Sequence, residues 1–94
     1  MITKEDAYNK IKNYLDKSIK YSSIDNIDKI AFTSKDEMIY PISHGKYKGK
    51  KIDYYAISYG EIWGIEERSM GILIHAETGE LLYIITPHGY LDIE

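Results

Sequence analysis

Apolar residues recur with a helical period once, at the start of the chain, and never again. Ala7, Tyr8, Ile11, Tyr14, Leu15 and Ile19 fall at spacings of three and four, one stripe along a helix expected over about residues 4–20. Thr3 is placed to cap the first turn, with Asp6 three residues on in the capping-box position. Glu5 and Asp6 suit the positive end of the helix dipole, and Lys17 and Lys20 suit the negative end. Beyond the polar stretch 22–26 the pattern turns to short alternating runs joined by connections of about ten residues or fewer. A parallel crossover needs about a dozen residues or more, usually with a helix, so the strands must pair antiparallel. The chain therefore reads as one α+β domain over residues 1–94, an N-terminal helix packed on one face of a four- to five-stranded antiparallel meander.

The expected strands are Ile27–Thr33, Glu37–Ser43, Ile52–Tyr59, Met70–Ala76 and Leu81–Thr86. Pro41 cannot donate to a ladder, which assigns the second to an edge or ends it there. Residues 44–51 read as a Gly- and Lys-rich loop, and 60–69 as a loop holding the only Trp. Glu77-Thr78-Gly79-Glu80 reads as a tight turn whose Gly79 supplies a positive φ. Pro87, Gly89 and the acidic end read as a tail.

The last two strands are apolar on both faces, Ile72 and Ile74 against Leu73, and Leu81, Tyr83 and Ile85 against Leu82 and Ile84. A sheet wetted on one side shows cleaner alternation. One helix covers one side, so the other needs a lid. The Trp63 loop, the Tyr90-Leu91 tail or another protein could supply it.

Charge is split along the chain. Residues 1–51 carry a net +4, whereas residues 52–94 carry −7 with Arg68 as their sole cation. Such a split steers partners and says nothing of fold. Cysteine is absent, which excludes disulfides and thiolate chemistry. Nothing approaches the roughly 18 apolar residues of a membrane span, and residues 1–6 show no signal-peptide core. The expected setting is cytoplasmic, with no membrane partner and no cofactor.

Ten Tyr in 94 residues favour half-wet sheet faces and binding surfaces. Two loops are candidate partner contacts. Glu61, Trp63, Glu66 and Glu67 set a Trp among carboxylates, a residue type enriched among those that dominate binding energy. Lys46, Tyr47 and Lys48 alternate cation with ring, a pattern that grips phosphates or an acidic protein. One short basic patch on an acidic chain reads against nucleic acid. Tyr55 and Tyr59 extend the candidate surface along the third strand. His75 and Glu77, two apart on a strand, form an acid–base or metal-binding alternative, but their spacing carries no metal signature. No catalytic cluster, nucleophile elbow or phosphate loop is present.

The stretch Ile72-Leu73-Ile74-His75-Ala76-Glu77-Thr78-Gly79-Glu80-Leu81-Leu82-Tyr83, with the Lys4-Glu5-Asp6-Ala7 opening, resembles PepSY-like domains and the small immunity proteins of bacterial toxin systems. Thr78-Gly79-Glu80 matches the strand-connecting motif, and Ala76 stands where the PepSY-like pattern has Asp. The resemblance implies a non-enzymatic protein that blocks a cognate toxin domain, and it transfers no catalytic residue. The alternatives are a self-associating homodimer and a small ligand-binding protein or enzyme built on His75 and Glu77.

Overall fold

A computed structural model describes residues 1–93 of the chain. Helix α1 (Lys4–Leu15) is followed by β1 (Tyr21–Ile24), β2 (Ala31–Thr33), β3 (Tyr54–Trp63), β4 (Glu66–His75), β5 (Leu81–Thr86) and β6 (Gly89–Asp92). Short 3-10 turns lie at Ile27–Lys29 and Lys35–Glu37. The strands form one antiparallel sheet in the order β1-β3-β4-β5-β6. β2 shares the outer edge of β3 with β1, pairing with Tyr54–Ala56 where β1 pairs with Tyr59–Glu61. The α+β class and the meander through β3–β6 are as expected, with six strands in place of four or five. None of the described helices is long and apolar enough to cross a membrane.

Six segments depart from the expected elements. The helix stops at Leu15, because the next residues tighten into i→i+3 bonds, Lys17 N–H to Tyr14 and Ser18 N–H to Leu15. Ile19, read as part of the apolar stripe, is fully exposed. The supposed connector 22–26 contributes to β1, and the strand expected at 27–33 shrinks to Ala31–Thr33. The strand expected at Glu37–Ser43 is irregular after its 3-10 start. The supposed loop 60–69 is a hairpin, with β3 and β4 paired in unbroken register from Tyr54↔His75 to Trp63↔Glu66. The supposed tail adds β6, so Tyr90 and Leu91 extend the sheet and are not a lid.

Both sides of the sheet carry a core. On the first, Ala7, Ile11 and Leu15 of α1 join Tyr55, Ile57, Tyr59, Met70, Ile72, Ile74 and Ile84 in one buried cluster. The Thr3 hydroxyl accepts from Asp6 N–H and starts the helix, while Ile2 N–H donates to Ala76 and ties its entry to β4. On the second side, Ile42 packs with Leu73, Leu82 and Tyr83, flanked by Met38, Tyr47, Ile52, Tyr54 and Ala56. The lid is thus the irregular segment 38–52, neither the Trp63 hairpin nor the C-terminal residues. A bulge in β5, where Leu73 pairs with Tyr83 and Ile74 with Leu81, lets Leu82 and Tyr83 both join this second core.

Candidate functional site

The β3–β4 hairpin runs past both cores and ends in the two-residue turn Gly64-Ile65. Gly64 takes φ 69°, as the first position of a type II′ hairpin turn requires. Strand alternation puts Glu61 and Trp63 of β3 and Glu66 and Arg68 of β4 on the helix side. Trp63 Nε1 donates to Glu61 Oε1 at 2.9 Å. The Arg68 guanidinium pairs with Glu66 at 2.8 Å and lies 6.0 Å from the centre of the Trp63 ring system. At that range a cation is attracted to the face of the ring. His88, from the β5–β6 turn, stacks on Trp63 at 6.1 Å between ring centres. Arg68 Nε is buried without an acceptor.

Glu67 points to the opposite side. Its carboxylate lies over Gly60, where a Cβ would come within 2.9 Å of Oε2, and accepts from the Ser22 and Ser23 hydroxyls of β1. Beside these fixed groups, Ile65 is fully exposed and Ile62 is 44% exposed. The hairpin end therefore joins an aromatic ring and two open aliphatic side chains to three carboxylates already held by intramolecular partners.

The lysine loop lies at the other end of the sheet. Tyr47 packs edge-on against His75, which pairs with the first residue of β3. His75 and Glu66 are nine residues apart on β4, about 30 Å at 3.3 Å per residue. Tyr47 OH donates to Glu80 Oε1 at 2.6 Å, and Lys46 Nζ donates to Oε2 at 3.0 Å. These bonds, the Tyr47 hydroxyl first and Lys46 next, hold the Glu80 carboxyl below its usual range and push Lys46 and Tyr47 upward. Lys46 and Tyr47 thus clamp segment 38–52 to the β4–β5 turn. Lys48 is exposed and forms no ion pair among the described residues.

Tyr55 and Tyr59 do not form a surface. They are 8% and 4% exposed, both inside the helix-side core. Tyr55 OH donates to the Ile2 carbonyl, whereas the Tyr59 hydroxyl is buried without a partner. Burial, with Glu61 nearby, pushes the Tyr59 pKa up. His75 is 7% exposed, its Nδ1 accepting from Glu77 N–H at 3.1 Å. The Glu77 carboxylate turns away to the N-terminal amine at 3.5 Å, so the two side chains do not converge on a common point. Among the described residues no group of three His, Asp or Glu side chains is placed to hold a metal ion.

Of the nine partner contacts expected from sequence, Glu61, Trp63, Glu66 and Glu67 come together at the hairpin end. Lys46, Tyr47 and Lys48 lie at the far end, and Tyr55 and Tyr59 are buried. Sequence reasoning missed Arg68, His88, Ile62 and Ile65. Arg68 was readable once Gly64-Ile65 was taken as a hairpin turn, since it then falls beside Trp63 on the same side. His88 gave no sequence signal. No family model matches the chain, and no curated protein or solved structure is similar to it.

Proposed function

We propose that this chain is a non-enzymatic, protein-binding inhibitor that docks through the end of its β3–β4 hairpin. The observation that supports this is the pre-formed state of that end. Trp63, Glu61, Glu66 and Arg68 are held by one another, and Glu67 by β1, while Ile62 and Ile65 stand open. Side chains already fixed lose little entropy on association, so more of the contact energy appears as affinity. Trp and Arg anchors ringed by contacts that exclude water are the usual form of a binding hot spot. In its narrower form the proposal is an immunity protein whose carboxylates face the basic cleft of a toxin domain. That form rests on the Thr78-Gly79-Glu80 resemblance and on the net −7 of residues 52–94.

The test is co-expression with the product of the adjacent gene. Wild-type chain is expected to restore host growth and to co-purify with that product. Ile65→Glu, a change at a fully exposed position, is expected to abolish both without altering thermal unfolding. Protection that survives Ile65→Glu and Trp63→Ala together would remove the hairpin end from the interface.

A further inference from the structure

The two edges of the sheet differ. On one, β1 and β2 are short and separated by the 3-10 turn Ile27–Lys29, and β1 is irregular between Tyr21 and Ser23. Interruptions and bulges of this kind keep an edge from pairing with another chain. The other edge is β6, which pairs with β5 without a bulge and contains neither Pro nor Lys. All four of its residues are exposed, Tyr90 at 48% and Leu91 at 50%.

The direction of the free ladder groups on β6 follows from β4. His75 N–H donates to the Glu80 carbonyl, so the odd-numbered residues of β4 bond toward β5. Ladder groups alternate along a strand. Tyr83 and Ile85, opposite Leu73 and Gly71, therefore bond to β4, and Ile84 bonds to Leu91. Leu91 thus turns its N–H and C=O toward β5, whereas Tyr90 and Asp92 turn theirs outward.

We infer that this edge pairs with β6 of a second copy of the chain, antiparallel and centred on Leu91. Three features favour a copy of itself over a strand of another protein. Tyr90 and Asp92 flank Leu91 symmetrically, so a two-fold axis through Leu91 gives every outward N–H and C=O a partner, Tyr90 with Asp92 of the copy and the reverse. In that register Asp92, the one charged residue of β6, faces a tyrosine and not the other Asp92. The register also sets Leu91 against Leu91 of the copy in a non-bonded pair, where facing side chains come closest. The edge is already ordered for this. Asp92 is held by His44 Nε2 at 2.6 Å, and Tyr90 stacks on His44 at 5.6 Å and meets Tyr83 edge-on at 5.3 Å. A four-residue edge makes a small interface, so the pair is a weak one that forms as concentration rises. The two-fold axis points the two β3–β4 hairpin ends in opposite directions and leaves both free. The inference therefore does not rest on docking at the hairpin end, and either can fail alone.

Cross-linking tests the register and ultracentrifugation the association. The chain has no cysteine, so Leu91→Cys can form a disulfide only with another copy. In the non-bonded pair the two Cα atoms stand about 4.5 Å apart, within reach of a disulfide. With oxidised glutathione as oxidant, Leu91→Cys is expected to become a covalent dimer at least about ten-fold faster than Ile19→Cys, a fully exposed position away from β6. Wild-type chain is expected to shift toward dimer as concentration rises to millimolar. Leu91→Lys is expected to stay monomeric throughout, with unchanged thermal unfolding. A monomeric wild type at millimolar concentration, equal cross-linking at the two positions, or a dimer that survives Leu91→Lys would overturn the inference.

Discussion

Tyr59 places a hydroxyl in the helix-side core with no acceptor, its ring packed near that of Tyr21. An unpaired buried donor forfeits its hydration and gains nothing in return. Tyr59→Phe is therefore expected to leave stability unchanged or raise it by up to about 1 kcal/mol in urea unfolding. A loss above that size would mean the hydroxyl has an acceptor. Glu80 offers a second residue-scale test. Its folded-state pKa is lowered, so its bonds stabilise the fold above the ordinary carboxylate range and are lost as pH falls through the lower folded value. For Lys46 and Tyr47, whose values are raised, the contribution is whole below their ordinary range and disappears as pH rises through the folded values. Amide exchange at Gly49 and Lys50, which donate to Ile42 and Tyr47, is expected to lose protection as pH falls through the lowered Glu80 value. Glu80→Ala should lose it already at neutral pH. Protection unchanged in Glu80→Ala would show that the clamp is elsewhere. Gly79 was legible at this scale, with φ 77° in the expected turn, because a tight hairpin turn of this kind needs a residue at positive φ. Gly64 carried the same kind of signal, masked by the three glutamates around it.

Among the elements, those set by local chemistry were legible and those set by tertiary pairing were not. The start of α1 follows from Thr3 and Asp6, whereas its end follows from the need to bring Tyr21 opposite Glu61 on β3. β1 is polar at Ser22 and Ser23, which serve Glu67 across the sheet, so no alternation announced a strand. Segment 38–52 is the least regular part of the chain and seals half the molecule. Ile42 donates its N–H to Lys50, accepts from Gly49 and buries its side chain on Leu73, Leu82 and Tyr83. Ile42→Ala is expected to cost roughly 2–5 kcal/mol, the range for a buried large-to-Ala change. That would be a large part of the usual 5–15 kcal/mol of a small domain. A cost below about 1 kcal/mol would mean that the segment drapes over the sheet without packing.

For the whole molecule, six strands are served by one helix and one irregular lid. The expected surplus of apolar surface exists in a narrower form. The second side is sealed from within at the His75 end by segment 38–52, and apolar side chains stay exposed at the end of the β3–β4 hairpin, on β6 at Tyr90 and Leu91, and at Ile39 and Tyr40 of the sealing segment itself. These openings differ in character. Ile39 and Tyr40 belong to the cationic half, and the hairpin end carries glutamates of the anionic half. The candidate site was half legible, since Trp63 and its glutamates were found but their placement on a projecting hairpin was not. Tyr55 and Tyr59 were misplaced because a tyrosine can sit in a core as readily as on a surface. The account rests most heavily on the hairpin end as the docking edge. Calorimetric titration of the adjacent gene's product with wild-type chain and with Trp63→Ala/Glu66→Ala tests it directly. The account predicts a loss of more than about 2 kcal/mol, roughly thirty-fold in Kd, with the fold intact by thermal unfolding. An unchanged Kd would contradict it.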